Sequence, residues 1–274
     1  MIKDLKKNRL QNKFQELSKK NECALICYVV AGYPDTSTTE DIVSSLVSAG
    51  ADIIEIGIPF SDPIADGSVI QEASYHALLS GITPEKCLRI SQNIRIKFPE
   101  LPIVAMTYSN ILLKAGFGNF MSKSKRSGID GFILPDMAIE ESNSYVKEAY
   151  KLDLATIFLV SPNTAKNRLQ AIVNKSSGFV YMVSVYGTTG TRDSFENYTL
   201  NAIKNIKQVA GSKIPVAVGF GISCPSHVRF MVNAGADAVI VGSAIIKRMK
   251  PNIDKKKMLQ ELRSYAVNMK RACK

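Results

Sequence analysis

The chain has 274 residues, 46% of them hydrophobic, and carries 35 Lys and Arg against 24 Asp and Glu for a formal net charge of +11. That apolar content supports a sizeable core and excludes a disordered chain, and no apolar run approaches the ~18 residues of a membrane span. The lysines are spread along the chain, Trp is absent and no basic stripe is interleaved with aromatics, so nucleic acid is not an expected partner.

In chain order, the basic segment 1–20 has no apolar signal core but places Leu10, Phe14 and Leu17 on one helical face, which predicts a short helix laid against the body. Short β-branched runs then alternate with longer amphipathic ones. The predicted strands are Ala24 to Ala31, Asp52 to Ile58, Pro102 to Met106, Gly131 to Leu134, Ala155 to Val160, Phe179 to Ser184, Pro215 to Phe220 and Ala238 to Val241. Helices are expected from near Ser37, Pro84, Phe117, Ile139, Ala165, Leu200, Pro225 and Asp254. No linker interrupts the alternation, so residues 1–274 are expected to form a single-domain (β/α)8 TIM barrel with an extra N-terminal helix. An open doubly wound sheet is the alternative, but Ala31-Gly32-Tyr33-Pro34 lacks the glycine pattern that usually follows its first strand.

The five cysteines (Cys23, Cys27, Cys87, Cys224, Cys273) form no Cys-x-x-Cys pair, which points to reduced thiols and a cytoplasmic setting. His76 and His227 fit no metal-ligand spacing, so no metal site is expected.

Barrel enzymes carry their chemistry at the C-terminal ends of the strands, and those ends are the polar ones here. The second strand holds Glu55 and runs into the loop Ile58-Pro59-Phe60-Ser61-Asp62-Pro63-Ile64-Ala65-Asp66-Gly67. A strand buried on both faces offers Glu55 no water, so it must be hydrogen-bonded, paired or held protonated by a raised pKa. Asp62 and Asp66 lie on a stiff Pro- and Gly-rich loop able to aim a side chain; the plainer reading is a satisfied buried acid and two Asx-turns. Three glycine clusters follow the last three strands: Gly187 to Gly190, Gly219-Phe220-Gly221 and Gly242-Ser243. Glycine lets backbone N–H groups approach an anion closely, and barrels commonly bind phosphate after strands seven and eight.

With these motifs in hand, the chain resembles the tryptophan synthase α subunit family over nearly its full length. Glu55-Ile-Gly-Ile-Pro-Phe-Ser-Asp-Pro-Ile-Ala-Asp66-Gly67 carries most of the likeness, supported by Gly32-Tyr-Pro, Met106-Thr-Tyr-Ser-Asn110, Tyr181, the Gly187 to Gly190 loop, Gly219-Phe-Gly-Ile-Ser223 and Val241-Gly-Ser243. The resemblance implies retro-aldol cleavage of indole-3-glycerol phosphate to indole and glyceraldehyde 3-phosphate. Glu55 is then the general acid-base, and Asp66 accepts the indole N–H and steadies the charge on the protonated ring. Tyr28, Tyr108, Ile133 and Phe220 line the indole pocket, and Tyr181 lies near Glu55 or the glycerol chain. Gly190, Gly219, Gly221, Gly242 and Ser243 hold the phosphate, while the loops of Asp62 and Thr189 close over substrate.

By the same resemblance, Pro59, Asp62, Pro63 and Asn110 meet a β subunit in an α2β2 heterotetramer. No cofactor is implied for this chain, pyridoxal phosphate belonging to the partner β subunit. Ser68, where the family commonly has Pro, and the bulky Tyr186 depart from the pattern and bear on the two mobile loops. Rival readings are an indole-glycerol-phosphate synthase or phosphoribosylanthranilate isomerase, a stand-alone indole-releasing lyase and a silent binding subunit. The synthase needs a strand-end lysine that no buried strand portion supplies, and the intact Glu55 and Asp66 oppose silence.

Overall fold

Strand β1 (Ala24–Val30) buries all seven of its residues, as a parallel strand covered on both faces must. In the computed structural model, which describes residues 8–183, 197–219, 221–249 and 253–274, seven more strands follow. They are β2 (Ile53–Gly57), β3 (Ile103–Met106), β4 (Gly131–Ile133), β5 (Ala155–Val160), β6 (Val180–Val183), β7 (Val216–Gly219) and β8 (Ala238–Val241). All neighbouring pairs are parallel, and β1 also pairs with β8, so the sheet closes into a barrel in sequence order. This is the (β/α)8 barrel that the strand count predicts.

Alternate residues along each strand face opposite sides. Ala24, Ile26, Ile53, Val104, Ile133, Ile157, Tyr181, Ala217 and Ile240 fill the barrel, while Leu25, Ile54, Ile56, Phe132, Phe158 and Val180 pack outward into the helical layer. Register sets Tyr28 beside Glu55 and Glu55 beside Val104. Glu55 and Tyr28 are thereby fixed by the sheet rather than by a loop.

The N-terminal helix α1 (Arg9–Lys19) begins in a capping box: Gln11 N–H donates to Asn8 Oδ1 at 3.0 Å, and Asn8 N–H donates to Gln11 Oε1 at 3.4 Å. Its Leu10, Phe14 and Leu17 join the interior cluster, with Phe14 6.0 Å from the Phe179 ring at the start of β6. The helix therefore plugs the N-terminal end of the barrel, a more specific role than lying against its side. Arg9 fastens it there through Asp130, at 2.9 Å.

The outer helices are α2 (Thr39–Ser48), α3 (Ser68–Leu79), α4 (Pro84–Lys97), α5 (Ser109–Ala115), α6 (Phe117–Arg126), α7 (Asn143–Lys151), α8 (Lys166–Lys175), α9 (Asn197–Ala210), α10 (Pro225–Asn233), α11 (Ser243–Ile246) and α12 (Lys255–Arg271). Three of them, α3, α5 and the single turn α11, lie outside the predicted set. The buried face of α3 is built from Ile70, Ala73, Ser74 and Ala77, mostly small residues, while Tyr75 and Leu79 are exposed, so its apolar periodicity is blurred. Only Leu112 of the short α5 is buried. The helix expected near Ile139 begins at Asn143 because Ser142 turns its hydroxyl back to the Ile139 carbonyl at 2.7 Å. Ser68 is the first residue of α3, a position that accommodates Pro or Ser alike, so this departure leaves the helix start intact. Tyr186 lies outside the described residues. Among the described residues, no helix is long and apolar enough to cross a membrane.

Candidate active site

Glu55 sits in the middle of β2 with its side chain turned into the barrel, 1% exposed. Its Oε2 has no hydrogen-bond partner. Burial, reinforced by the negative charge of Asp66, pushes its pKa up to about 8. Of the three fates open to a buried glutamate, the raised pKa is therefore the one realised at this oxygen.

Asp66 reaches the same mouth from the loop after β2. Its backbone N–H closes a turn on the Pro63 carbonyl at 3.0 Å, and the Ile64 N–H donates to the Asp62 carbonyl at 2.9 Å. Gln71 on α3 donates to the Asp66 and Pro63 carbonyls at 2.9 and 3.2 Å, so the loop is tied to the helix it feeds. The carboxylate is 6% exposed. Burial raises its pKa to about 6, against the hydrogen bond from Tyr108, which lowers it.

Tyr108 caps the start of α5 from an extended backbone after β3. Its O–H donates to Asp66 Oδ2 at 3.1 Å, its oxygen accepts the Ala65 N–H at 3.0 Å, and its ring stacks on Phe60 at 5.1 Å. The following Ser109 is anchored by Asp136 at the end of β4 through both its N–H and its hydroxyl, the latter at 2.6 Å. Phe60, Ala65 and Asp136 carry no site role in the sequence reading. Their backing of a tyrosine and a loop is visible only when the strand ends are assembled.

Two further tyrosines lean over glycines. A Cβ on Gly57 would lie 2.7 Å from Tyr28 Cζ and collide with its hydroxyl oxygen, and a Cβ on Gly219 would lie 2.7 Å from Tyr181 Cζ. Glycine at 219 is thus required first by the Tyr181 ring, whatever its backbone does for an anion. The Tyr28 ring also lies 3.4 Å from the Cβ position of Gly242, so it spans from the start of α11 to the end of β2. Burial, and then the charges of Asp66 and Glu55, hold the Tyr28 phenol far above its ordinary pKa; Tyr181 responds to burial, then to Glu55 and Asp66. Both stay protonated beside the acids. Ile133, fully buried at the end of β4, sits in register with Met106 and Ile157.

Around the same mouth, β7 ends at Gly219, and Gly221 takes φ +79°, the region glycine favours. Gly242 precedes the single turn of α11, where the Ile245 and Ile246 N–H groups fold back on its carbonyl at 2.8 and 3.1 Å. As at any helix start, the amides ahead of them have no acceptor within the helix. Ser243 is the first residue of that turn. Thr189, Gly190 and Phe220 lie outside the described residues. Of the expected partner contacts, Asp62 and Asn110 are exposed, Pro63 is half-buried and Pro59 is buried. Beside them in sequence, Ile64 is 81% and Leu113 57% exposed.

A closed parallel barrel bearing two buried carboxylates of unlike pKa at its C-terminal mouth defines a (β/α)8-barrel enzyme suited to proton transfer. The family model for the tryptophan synthase alpha chain matches residues 14–274. The chain is 43% identical over 251 residues to the tryptophan synthase alpha chain of Methanothermobacter thermautotrophicus, covering 91% of this chain and 92% of that one. It is 41% identical over 265 residues to the Arabidopsis thaliana alpha chain, covering 96% and 94%. Among solved structures, tryptophan synthase from M. tuberculosis in an aminoacrylate-bound form superposes with a TM-score of 0.85 at 31% identity, covering 97% of this chain and 100% of that one. The tryptophan synthase complex of Pyrococcus furiosus gives 0.83 at 34% identity, covering 90% and 98%. The chain belongs to the tryptophan synthase α chain family, the lyases that cleave indole-3-glycerol phosphate in tryptophan biosynthesis.

Proposed function

We propose that Glu55 is the general acid-base of this cleavage and Asp66 the anchor of the indole N–H. One observation carries the assignment: two buried carboxylates share one mouth, Glu55 near 8 and Asp66 near 6. Near neutral pH Glu55 starts as the acid and Asp66 as the ion, which is the division of labour the reaction needs. Glu55 delivers its proton to indole C3; the ring becomes cationic and Asp66 stabilises it through the N–H. The C3–glycerol bond then breaks, its electrons return to the ring, and the departing carbon becomes an aldehyde as its hydroxyl gives a proton back to Glu55. Indole and glyceraldehyde 3-phosphate leave, and the acid is restored.

Tyr28, Tyr108 and Ile133, with Phe220, form the indole pocket, and Tyr181 sits beside Glu55. The turns of Gly219, Gly221, Gly242 and Ser243, with Gly190, hold the phosphate, and the Asp62 and Thr189 loops close over the substrate. No step calls for a cofactor on this chain. The partner is the tryptophan synthase β subunit in an α2β2 assembly, docking on Pro59, Asp62, Pro63 and Asn110; the exposed Ile64 and Leu113 next to them favour that face. The free cysteines suit a cytoplasmic enzyme.

The test is indole release from indole-3-glycerol phosphate by the purified chain, alone and with a β subunit. Weak activity alone and strong stimulation by the β subunit are expected. Normal turnover by Glu55→Gln would remove the acid-base assignment.

A further inference from the structure

We infer that Tyr265 and Arg248 are positioning residues that lock together the two turns proposed above to hold the phosphate, an inference that rests on that reading of the site. The Tyr265 hydroxyl, on α12, donates to the Ser223 carbonyl at 3.0 Å, in the turn that leaves Gly221. On the Tyr265 ring lies the Arg248 guanidinium, 3.8 Å from the centroid. Arg248 in turn donates from Nη1 to the Ala244 carbonyl at 2.6 Å, inside the single turn of α11 that begins after Gly242. Glu261, one turn before Tyr265 on α12, faces the guanidinium at 4.0 Å. A continuous path therefore runs from the turn after β7, through Tyr265 and Arg248, to the turn after β8.

The path matters because of how a backbone cradle works. Amide donors bind an anion well when they are already aimed, and ordering them at the moment of binding costs affinity. A four-residue helix and a glycine turn have little stiffness of their own. The last helix of the chain supplies it from behind, without a side chain in the site. A bridge of this kind acts equally on bound substrate and on the transition state, so its loss is felt in KM and spares kcat.

Tyr265→Phe removes the donor and keeps the ring; Arg248→Met removes the guanidinium of a partly exposed side chain, where folding is less at risk. Both are assayed in the complex with a β subunit. Each is expected to raise KM for indole-3-glycerol phosphate by about three- to tenfold, the worth of one hydrogen bond, with kcat changed less than twofold. The inhibition constant of inorganic phosphate against the same substrate is expected to rise by the same factor. Unchanged KM and phosphate inhibition in either variant, or a fall in thermal midpoint without a KM change, overturns the inference. Parent enzyme that releases no indole defeats the site reading itself, and parent enzyme that is active but indifferent to phosphate defeats the phosphate turns.

Discussion

Tyr108 holds Asp66 in place: its hydroxyl donates to Oδ2 at 3.1 Å while accepting the neighbouring Ala65 N–H at 3.0 Å. One phenol thus fixes both the carboxylate and the backbone that carries it. Tyr108→Phe removes both bonds. A hydrogen bond to a charged acceptor is worth about 1.5–3 kcal/mol, so kcat/KM is expected to fall by about 10- to 100-fold. The bond lowers the Asp66 pKa, so its loss raises that value above about 6, and the acidic limb of the pH profile moves to higher pH. Raising the pH should recover part of the activity. A profile superimposable on the parent's would show that Tyr108 does not tune Asp66.

Glu55 makes the same kind of statement about stability. Its pKa rises from 4.5 in the unfolded chain to about 8 in the fold, so between those values the folded protein holds a proton that the unfolded chain has lost. Stability from this group therefore falls as pH rises through that window, and the cost is complete above about pH 8. Glu55→Gln is expected to abolish indole release, and it removes the titration. The variant is expected to exceed the parent in stability by roughly 2–5 kcal/mol at alkaline pH, the gap closing toward pH 4.5. Denaturant melts at several pH values measure it; a gap independent of pH would mean that Glu55 is ionised throughout.

The Tyr28 ring lies across the Cβ position of Gly57, with Cζ only 2.7 Å away. Gly57→Ala is therefore expected to destabilise the barrel by about 1–3 kcal/mol and to displace the ring. Adding Tyr28→Leu vacates the space and should recover most of that loss while leaving activity low. A double-mutant cycle in chemical denaturation gives the coupling; additive effects would mean that the ring yields without cost.

How much of this was legible in the sequence differs by residue. The strands were, because a run such as Ala24 to Val30 is buried on both faces and needs apolar residues throughout. Glu55 was legible because a carboxylate in such a run has few harmless explanations. Helix α3 was not, since small Ala and Ser make up most of its inner face and two large apolar side chains point to solvent. In the sequence Gly219 fits an anion turn, whereas its lack of a side chain is demanded first by a ring on the neighbouring strand. Phe60 and Asp136 act through partners 48 and 27 residues away, Tyr108 and Ser109, and no local pattern encodes such distances.

At the closed end of the barrel, Asp130 is buried just ahead of β4 and accepts from Arg9 at 2.9 Å, Arg95 at 2.8 Å and the Ile103 N–H at 2.9 Å. Arg95 also donates to the carbonyls of Phe98, Pro99, Leu101 and Gly128, so one carboxylate organises α4, the start of β3 and the helix that plugs the barrel. Asp130→Ala removes the charged acceptor of two guanidinium groups, which keep their backbone carbonyls, and the side-chain acceptor of the Ile103 amide. Taking an acceptor from partly buried donors that keep other partners costs about 1–3 kcal/mol, and that is the loss expected here. Asp130→Asn keeps an acceptor oxygen and should lose less. Because the network lies at the end remote from Glu55, kcat of the folded fraction should stay near the parent's in both variants. Native-state hydrogen exchange would place the damage: faster exchange in α1 and at the start of β3, with β2 protected. Equal loss of protection in β2 would show that the plug and the catalytic strand unfold as one unit.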